Sequence, residues 1–442
     1  MSLDYSKIYI SFESSMRALY TLNETVVKIT EDEDLSVLSE FYSELTSFFP
    51  EFIDEEEVFE ILSRFIKLDE EEDILRPKEI LEELGLDFPE EYISDNGVSF
   101  NTQLFAEHMR DWWERDADSF SIFLRAMYKV TRDAPIRSEL LRRGILLSLI
   151  SIFDDLLGHL VENTSDLELF SKWKEKRWKK NEHPTFIGKK VLYLKNSNKY
   201  GTIDFVNFLF PSLEEVIERR NVFTHSNGLV DGKYIRIAGE YAKRKGLQSG
   251  ERLRLSKNYM HKSLNLIYVL GLILIQTAWR KADDSIESLE EADKKIILSQ
   301  KLTLQDARFE TAKQISEWGD SVIRRETSLL PKQDRLDDGY KLRRRRYVFL
   351  LNYAMAFREL GKAYEMEKII RKIKHPEWSS SIRSAIAILH GKNGLGLQYL
   401  EDAVIHESAV HDLFLDDSPI FQYVANMPDY ARIRDLAKKN FG

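Results

Sequence analysis

Apolar residues recur at three- and four-residue spacing along most of the chain, the period of helices that bury one face. Near the N-terminus Asp54-Glu55-Glu56-Glu57 opens a helix: Asp54 can cap it, and acidic side chains suit the positive end of the helix dipole. Val58, Ile61, Leu62, Phe65 and Ile66 then share a face. Pro77 and Gly85 bracket another short helix. An aromatic helix follows through Phe105, Trp112, Trp113 and Phe120. Ser138 to Val161 carries a long apolar stripe of Leu140, Leu141, Ile145, Leu146, Leu149, Ile152 and Leu156. Pro211 and Ser212 introduce a helix from Leu213 to His225, stopped at Asn227-Gly228 by a left-handed cap. A short extended piece is expected around Tyr234-Ile235-Arg236-Ile237, then a helix from about Ser256 to Arg280. The pattern predicts a mainly α protein with a compact helical bundle in its middle.

Beyond residue 290 the helices come in pairs. Phe357-Arg358-Glu359-Leu360-Gly361-Lys362-Ala363-Tyr364 resembles the first half of the tetratricopeptide signature W-x2-L-G-x2-Y, with Phe357 in place of Trp, while Ile373, Glu377 and Ser380 depart from its second half. A further hairpin is expected from Ile382 to His390, a Gly391-to-Gly394 turn, and Leu395 to Val404. The resemblance implies a degenerate helical-repeat region that offers a platform for protein contacts; an ordinary helical bundle would show the same periodicity. With a turn signal at Asp95-Asn96-Gly97, three regions are expected: an acidic helical lobe over 1–97, a bundle with a basic insertion over 98–285, and helical repeats over 290–442.

Composition agrees with three packed units. The chain has 442 residues, against roughly 150 per domain. It is 43% hydrophobic and 12% aromatic with only 19 Gly and 10 Pro, which excludes disordered and low-complexity classes. It contains no cysteine, so disulfides, thiolate metal sites and thiol nucleophiles are excluded, which fits a reducing cytoplasm. Met1 to Tyr20 lacks the basic start and apolar core of a secretion signal. The one membrane-like run, Leu264 to Trp279, holds Asn265 and Gln276 and falls short of the roughly twenty residues a span needs. It reads as a buried core or dimer helix, and no membrane partner is expected.

Charge changes the picture more. The net charge of −10 divides into an acidic first hundred residues, with 27 Asp and Glu against 7 Lys and Arg, and a remainder with 47 against 57. A basic body attracts phosphates, and an acidic lobe repels them, covers the basic surface or receives a regulatory partner.

The candidate chemistry lies in Arg220-Asn221-Val222-Phe223-Thr224-His225. Asn221 and His225 are one helical turn apart and share a face, so the amide can orient the imidazole. Arg220 lies about 140° around the helix from His225 and reaches the same phosphate only through its long side chain. A histidine titrates near neutrality and can take the proton from a ribose 2′-hydroxyl, while the planar guanidinium clamps phosphate and offsets developing negative charge. As an alternative, Arg219, Arg220 and His225 are cations answering the helix dipole.

With long apolar helices on both sides, the segment resembles the HEPN superfamily, whose R-N-x-x-x-H motif ends the third helix of a small bundle; the resemblance covers roughly residues 135 to 285. It implies a metal-independent endoribonuclease with no cofactor, acting as a homodimer in a defence or toxin system and leaving 2′,3′-cyclic phosphate and 5′-hydroxyl ends. Arg220, Asn221 and His225 would be its catalytic residues, the 2′-hydroxyl would explain a choice of RNA, and Leu264 to Trp279 would contribute to the dimer interface. A catalytically idle HEPN scaffold binding RNA or protein is the alternative.

Several basic stretches could lead RNA to the site. Lys172, Trp173, Lys176, Arg177 and Trp178 interleave cations with indoles, as phosphate attraction plus base stacking requires, although both indoles could equally anchor an inserted loop. Arg219, Lys243, Arg244, Lys245 and Arg252 lie beside the motif in sequence. Arg343 to Arg346 open the tetratricopeptide-like helix and read as a solvated face or a contact for the acidic lobe. No phosphate-binding glycine loop, nucleophile elbow or metal constellation stands out.

Overall fold

The fold was analysed in a computed structural model, which describes residues 4–25, 136–162, 185–196, 202–329, 338–373, 379–407 and 418–441. Among these the chain is helical, with an isolated bridge between Leu229 and Arg252 as its β pairing. The mainly α class expected from the periodicity is what is observed. The helices are α1 (5–25), α2 (Ile136–Glu162), α3 (Phe186–Asn196), α4 (Thr202–Ser226), α5 (Gly232–Ala238), α6 (Glu240–Arg244) and α7 (Lys257–Ala282), then α8 (Ile286–Gln305), α9 (Phe309–Leu329), α10 (Asp338–Glu359), α11 (Ala363–Ile370), α12 (Ser380–Leu389), α13 (Asn393–His406) and α14 (Pro428–Phe441). The helices expected at 54–66, 77–84 and 105–120, the boundary at Gly97, and the Trp173/Trp178 stretch lie outside the described residues.

The chain divides into two compact units. One comprises residues 10–193 and 207–268 and contains the Arg220-to-His225 motif. Its core draws on Phe12, Met16 and Leu19 of α1, Leu149, Phe153 and Leu157 of α2, Leu213, Val216 and Ile217 of α4, and Met260, Leu264 and Ile267 of α7. Hydrogen bonds from Tyr268 to Glu13 at 2.7 Å and from Tyr20 to Asn265 at 2.6 Å lock α1 against α7. Residues 10–25, counted by sequence with the acidic lobe, are thus part of this unit's core.

Three local expectations are corrected here. In α2 the buried stripe runs through Ile145, Leu149, Phe153 and Leu157, whereas Leu140 and Leu141 are 54% and 47% exposed. At about 100° per residue, Leu140 lies opposite Leu149, so one stripe cannot hold both. Helix α4 starts at Thr202 and runs through Pro211. Proline costs it one backbone bond, but buried Val206 and Leu209 continue the face of Leu213 and Ile217, and packing overrides the break. The expected extended piece at Tyr234 to Ile237 is helix α5: Asp231 caps it by accepting from the Tyr234 N–H at 2.7 Å.

The second unit comprises residues 1–9, 194–206 and 269–442. It stacks three helical hairpins, α8/α9, α10/α11 and α12/α13, of which the last matches the hairpin expected from sequence, while Leu360-Gly361-Lys362 of the tetratricopeptide-like segment forms the turn between α10 and α11. The three share one turn chemistry. Ala307, Gly361 and Gly391 each take positive φ, and the next residue's N–H reaches back to Thr303, Phe357 and Ala387 at 2.8–2.9 Å. Gly396 lets α13 approach α12, since a Cβ there would meet Ile388 Cγ1 at 2.5 Å. The core includes Trp318, Phe349, Leu350, Ile388 and Leu400.

A buried ionic cluster ties this unit together. Asp293, with no exposed surface, receives Arg280 on one oxygen and Arg345 on the other at 2.7 Å, and Arg346 pairs with Asp320 at 2.7 Å. Two members of the expected solvated Arg343-to-Arg346 face are therefore interior ion pairs, because α8 and α9 bring Asp293 and Asp320 against α10.

Leu264 to Trp279 is mostly buried within the chain, including Leu264, Tyr268, Leu270 and Ile275. Helices α2 and α7 are both long and apolar enough to cross a membrane; 50% and 78% of their apolar windows are buried inside the chain.

Candidate active site

Helix α4 presents a dense series of charges, Glu214, Glu215, Glu218, Arg219, Arg220 and His225. All but two are engaged. Glu214 receives the Thr185 N–H at 2.8 Å and the Thr185 hydroxyl at 2.6 Å, and Thr185 caps α3 by accepting from Gly188 N–H at 3.0 Å. Gly188 is required at this approach, since a Cβ would fall 2.0 Å from Glu214 Oε1. Burial pushes the Glu214 carboxyl above the usual glutamate range, against the opposing pull of the Thr185 bonds.

Glu215 and Arg219 form the heart of a buried polar cluster. Arg219 Nε donates to Glu215 at 2.8 Å, its NH1 to the Arg254 carbonyl at 2.8 Å and its NH2 to the Tyr241 hydroxyl at 2.6 Å, while its guanidinium lies 3.8 Å over the Tyr259 ring. Tyr234 and Tyr259 donate to the two Glu215 oxygens. Burial, then the neighbouring Glu215, raises both phenols well above their usual range. Burial is the largest single influence and works against the Arg219 charge, but Glu215 together with Tyr234, Tyr259 and Tyr241 outweighs it and holds the guanidinium well above its usual range. The expectation that Arg219 offers a surface cation to RNA is corrected: it has no exposed surface, and its fork is spent on the protein's own acceptors.

Glu218 is the third buried carboxylate. Its Oε2 accepts from Asn221 Nδ2 at 2.9 Å and its Oε1 from Lys233 Nζ. Asn221 thus bonds Glu218 rather than the expected His225. Sequence reasoning passed over Glu218, although its i, i+3, i+7 register with Asn221 and His225 was a usable signal. Lys233 arrives from α5 and could not be found that way.

Arg220 and His225 are the exceptions. Neither side chain has a hydrogen-bond, ion-pair or ring partner among the described residues, and Arg220 Nε is buried without an acceptor. His225 is exposed in the last turn of α4. That end is fixed: Asn227 and Gly228 take positive φ, Gly228 N–H reaches Val222 O, and Leu253 N–H reaches Gly228 O at 2.8 Å. From α2, Arg143 stacks 4.5 Å over Phe223 and donates to Asn227 Oδ1 at 2.9 Å. The capping expected at Asn227-Gly228 is present.

Of the other cations expected beside the motif, Lys243 and Arg244 are exposed on α6, Lys245 caps its end half-buried, and Arg252 is half-buried in the bridge with Leu229. Lys172, Trp173, Lys176, Arg177 and Trp178 lie outside the described residues. Among the described residues no group of three or more His, Asp or Glu side chains is arranged to hold a metal ion.

Comparison of the chain with models of protein families, with characterised proteins and with solved structures finds no match.

Proposed function

We propose that the chain is a metal-independent endoribonuclease of the HEPN type, with Arg220, Asn221 and His225 at its centre. The observation that carries this reading is selective disengagement: between Glu214 and His225 the other charges of α4 are bound within the chain, and the motif's arginine and histidine side chains are the two left without partners among the described residues. Interior salt bridges explain Glu215 and Arg219; they explain nothing about Arg220 and His225. In the proposed reaction the His225 imidazole takes the proton of a ribose 2′-hydroxyl, and the 2′-oxygen attacks the adjacent phosphorus. The 5′-oxygen leaves with a proton, giving a 2′,3′-cyclic phosphate and a 5′-hydroxyl. Arg220 meets the charge that builds on the phosphoryl oxygens.

Exposed Lys243 and Arg244 would guide the strand, with Lys245 and Arg252 beside them. The HEPN resemblance adds a homodimer that places two motifs in one cleft and a defence or toxin role, and the cysteine-free composition fits a cytoplasmic setting. The three like-turned hairpins of the second unit fit a tetratricopeptide-like platform for a protein regulator, and the acidic lobe offers another. A non-catalytic scaffold is the second reading, favoured by Tyr364 and Ile405, which are 78% and 53% exposed on those hairpins.

The test is incubation of purified protein with total RNA in EDTA beside His225→Ala and Arg220→Ala. Loss of cleavage in both variants supports the nuclease. Cleavage that persists in both sinks the assignment, and no cleavage by the parent favours the scaffold.

A further inference from the structure

We propose that Lys233 is a phosphate-gripping residue of the same site, held on the His225 face of α4 by the buried carboxylate of Glu218, with the phosphodiester backbone of a single RNA strand as its ligand. The inference rests on the RNA reading above and adds to it a residue from a different helix. Glu218, Asn221 and His225 share one face of α4 and rise about 10 Å from first to last. The Glu218 carboxylate has two oxygens and two jobs: Oε2 holds the Asn221 amide, and Oε1 holds the Lys233 ammonium.

The backbone at Lys233 is itself anchored. Its neighbour Tyr234 is fully buried, donates its hydroxyl to Glu215 and its N–H to Asp231, and so bolts α5 to α4 one residue from the lysine. Burial is unequal across the Lys233–Glu218 pair: the carboxylate is 3% exposed and the lysine side chain 53%. A lysine present only to neutralise Glu218 would be buried with it. One ammonium donor is spent on Glu218, and with the side chain half exposed the other two are available to an anion.

The surroundings favour such an anion. From Ser226 to Ser256 there are seven Lys and Arg against three Asp and Glu, and Asp231 is occupied as the α5 cap. Arg236, Lys243 and Arg244 are exposed on the same excursion, which as a whole carries a net positive charge.

The experiment measures binding of a labelled single-stranded oligouridylate to the full chain carrying His225→Ala, across a salt series. Adding Lys233→Met should weaken binding on the order of tenfold. It should also reduce the slope of log affinity against log salt by about 0.7, the loss of one phosphate contact on a single strand. Lys233→Arg should restore both. Because Lys233→Met leaves a buried charge on Glu218, the pair Lys233→Met with Glu218→Gln removes both charges. That double variant should regain the parent melting temperature while keeping the reduced slope. A slope equal to the His225→Ala parent in both methionine variants, with binding intact, overturns the role of Lys233 alone. Absence of RNA binding by that parent at any salt overturns the RNA reading and this inference together.

Discussion

Asn221 donates its amide to the Glu218 carboxylate at 2.9 Å, one turn toward the start of α4, and not to His225, one turn toward its end. Charge decides which end of the amide faces Glu218, since only Nδ2 can donate to a carboxylate. That bond uses one of the two Nδ2 hydrogens, so Asn221 keeps the other N–H and its amide oxygen for an incoming phosphate, hydroxyl or imidazole.

Replacing Asn221 by Asp would set a second carboxylate against Glu218. The new carboxylate would lose the Glu218 bond and would repel both Glu218 and an incoming phosphate while it is ionised. Asn221→Asp should therefore cut RNA more slowly than Asn221→Ala at pH 7, with a deficit that narrows as the pH is lowered. A pH–rate profile of the two variants checks this; identical profiles would remove the Glu218–Asn221 contact from the mechanism.

Arg219 and His225 should separate stability from activity. Arg219→Ala strands Glu215 and should cost about 3–5 kcal/mol of folding stability, as removal of one partner from a buried pair does. His225→Ala removes an exposed side chain without a partner and should stay within about 0.5 kcal/mol, while lowering cleavage by about 10²–10⁴. Urea unfolding and rate measurements on both variants would expose any reversal of this order.

In the second unit Asp293 neutralises two arginines from different helices. Asp293→Ala leaves Arg280 and Arg345 without that carboxylate in the interior, at an expected cost of about 3–5 kcal/mol. Thermal unfolding is the measurement, and a melting temperature equal to the parent's would show that the cluster is not a structural tie.

Glu214 gives the protein a pH-sensitive element. Its folded pKa is raised by burial, so across the window from the ordinary glutamate value, about 4.3, up to the raised value, the folded state binds more protons than the unfolded chain. The contribution of this group to stability therefore falls as pH rises through that window. Glu214→Gln should lose this fall, and its melting temperature relative to the parent should climb between pH 4 and pH 7; a constant difference would refute the shift.

What was legible in the sequence was local. The left-handed cap at Asn227-Gly228, the hairpin turn at Gly391 and the apolar run of α7 depend on residues a few positions apart, so periodicity and turn chemistry reach them. Local rules failed where packing outweighed them. Pro211 sits inside α4 because the helix is buried on both sides of it, and Tyr234 to Ile237 coil because Asp231 caps them and Tyr234 finds Glu215.

The motif divides in the same way. Arg219 and Arg220 are adjacent and chemically alike; the spacing to His225 singles out Arg220, but nothing along the chain says which of the two is buried. A rotation of about 100° per residue sends one into the tyrosine cluster with Glu215 and leaves the other without a partner. The sequence by itself determined the helical class, the end of α4 and the candidate chemistry at Arg220 and His225. Tertiary structure alone decided that Arg219 is internal, that Asn221 answers to Glu218, and that Lys233 joins their face, because ion pairs and burial depend on which distant helices meet.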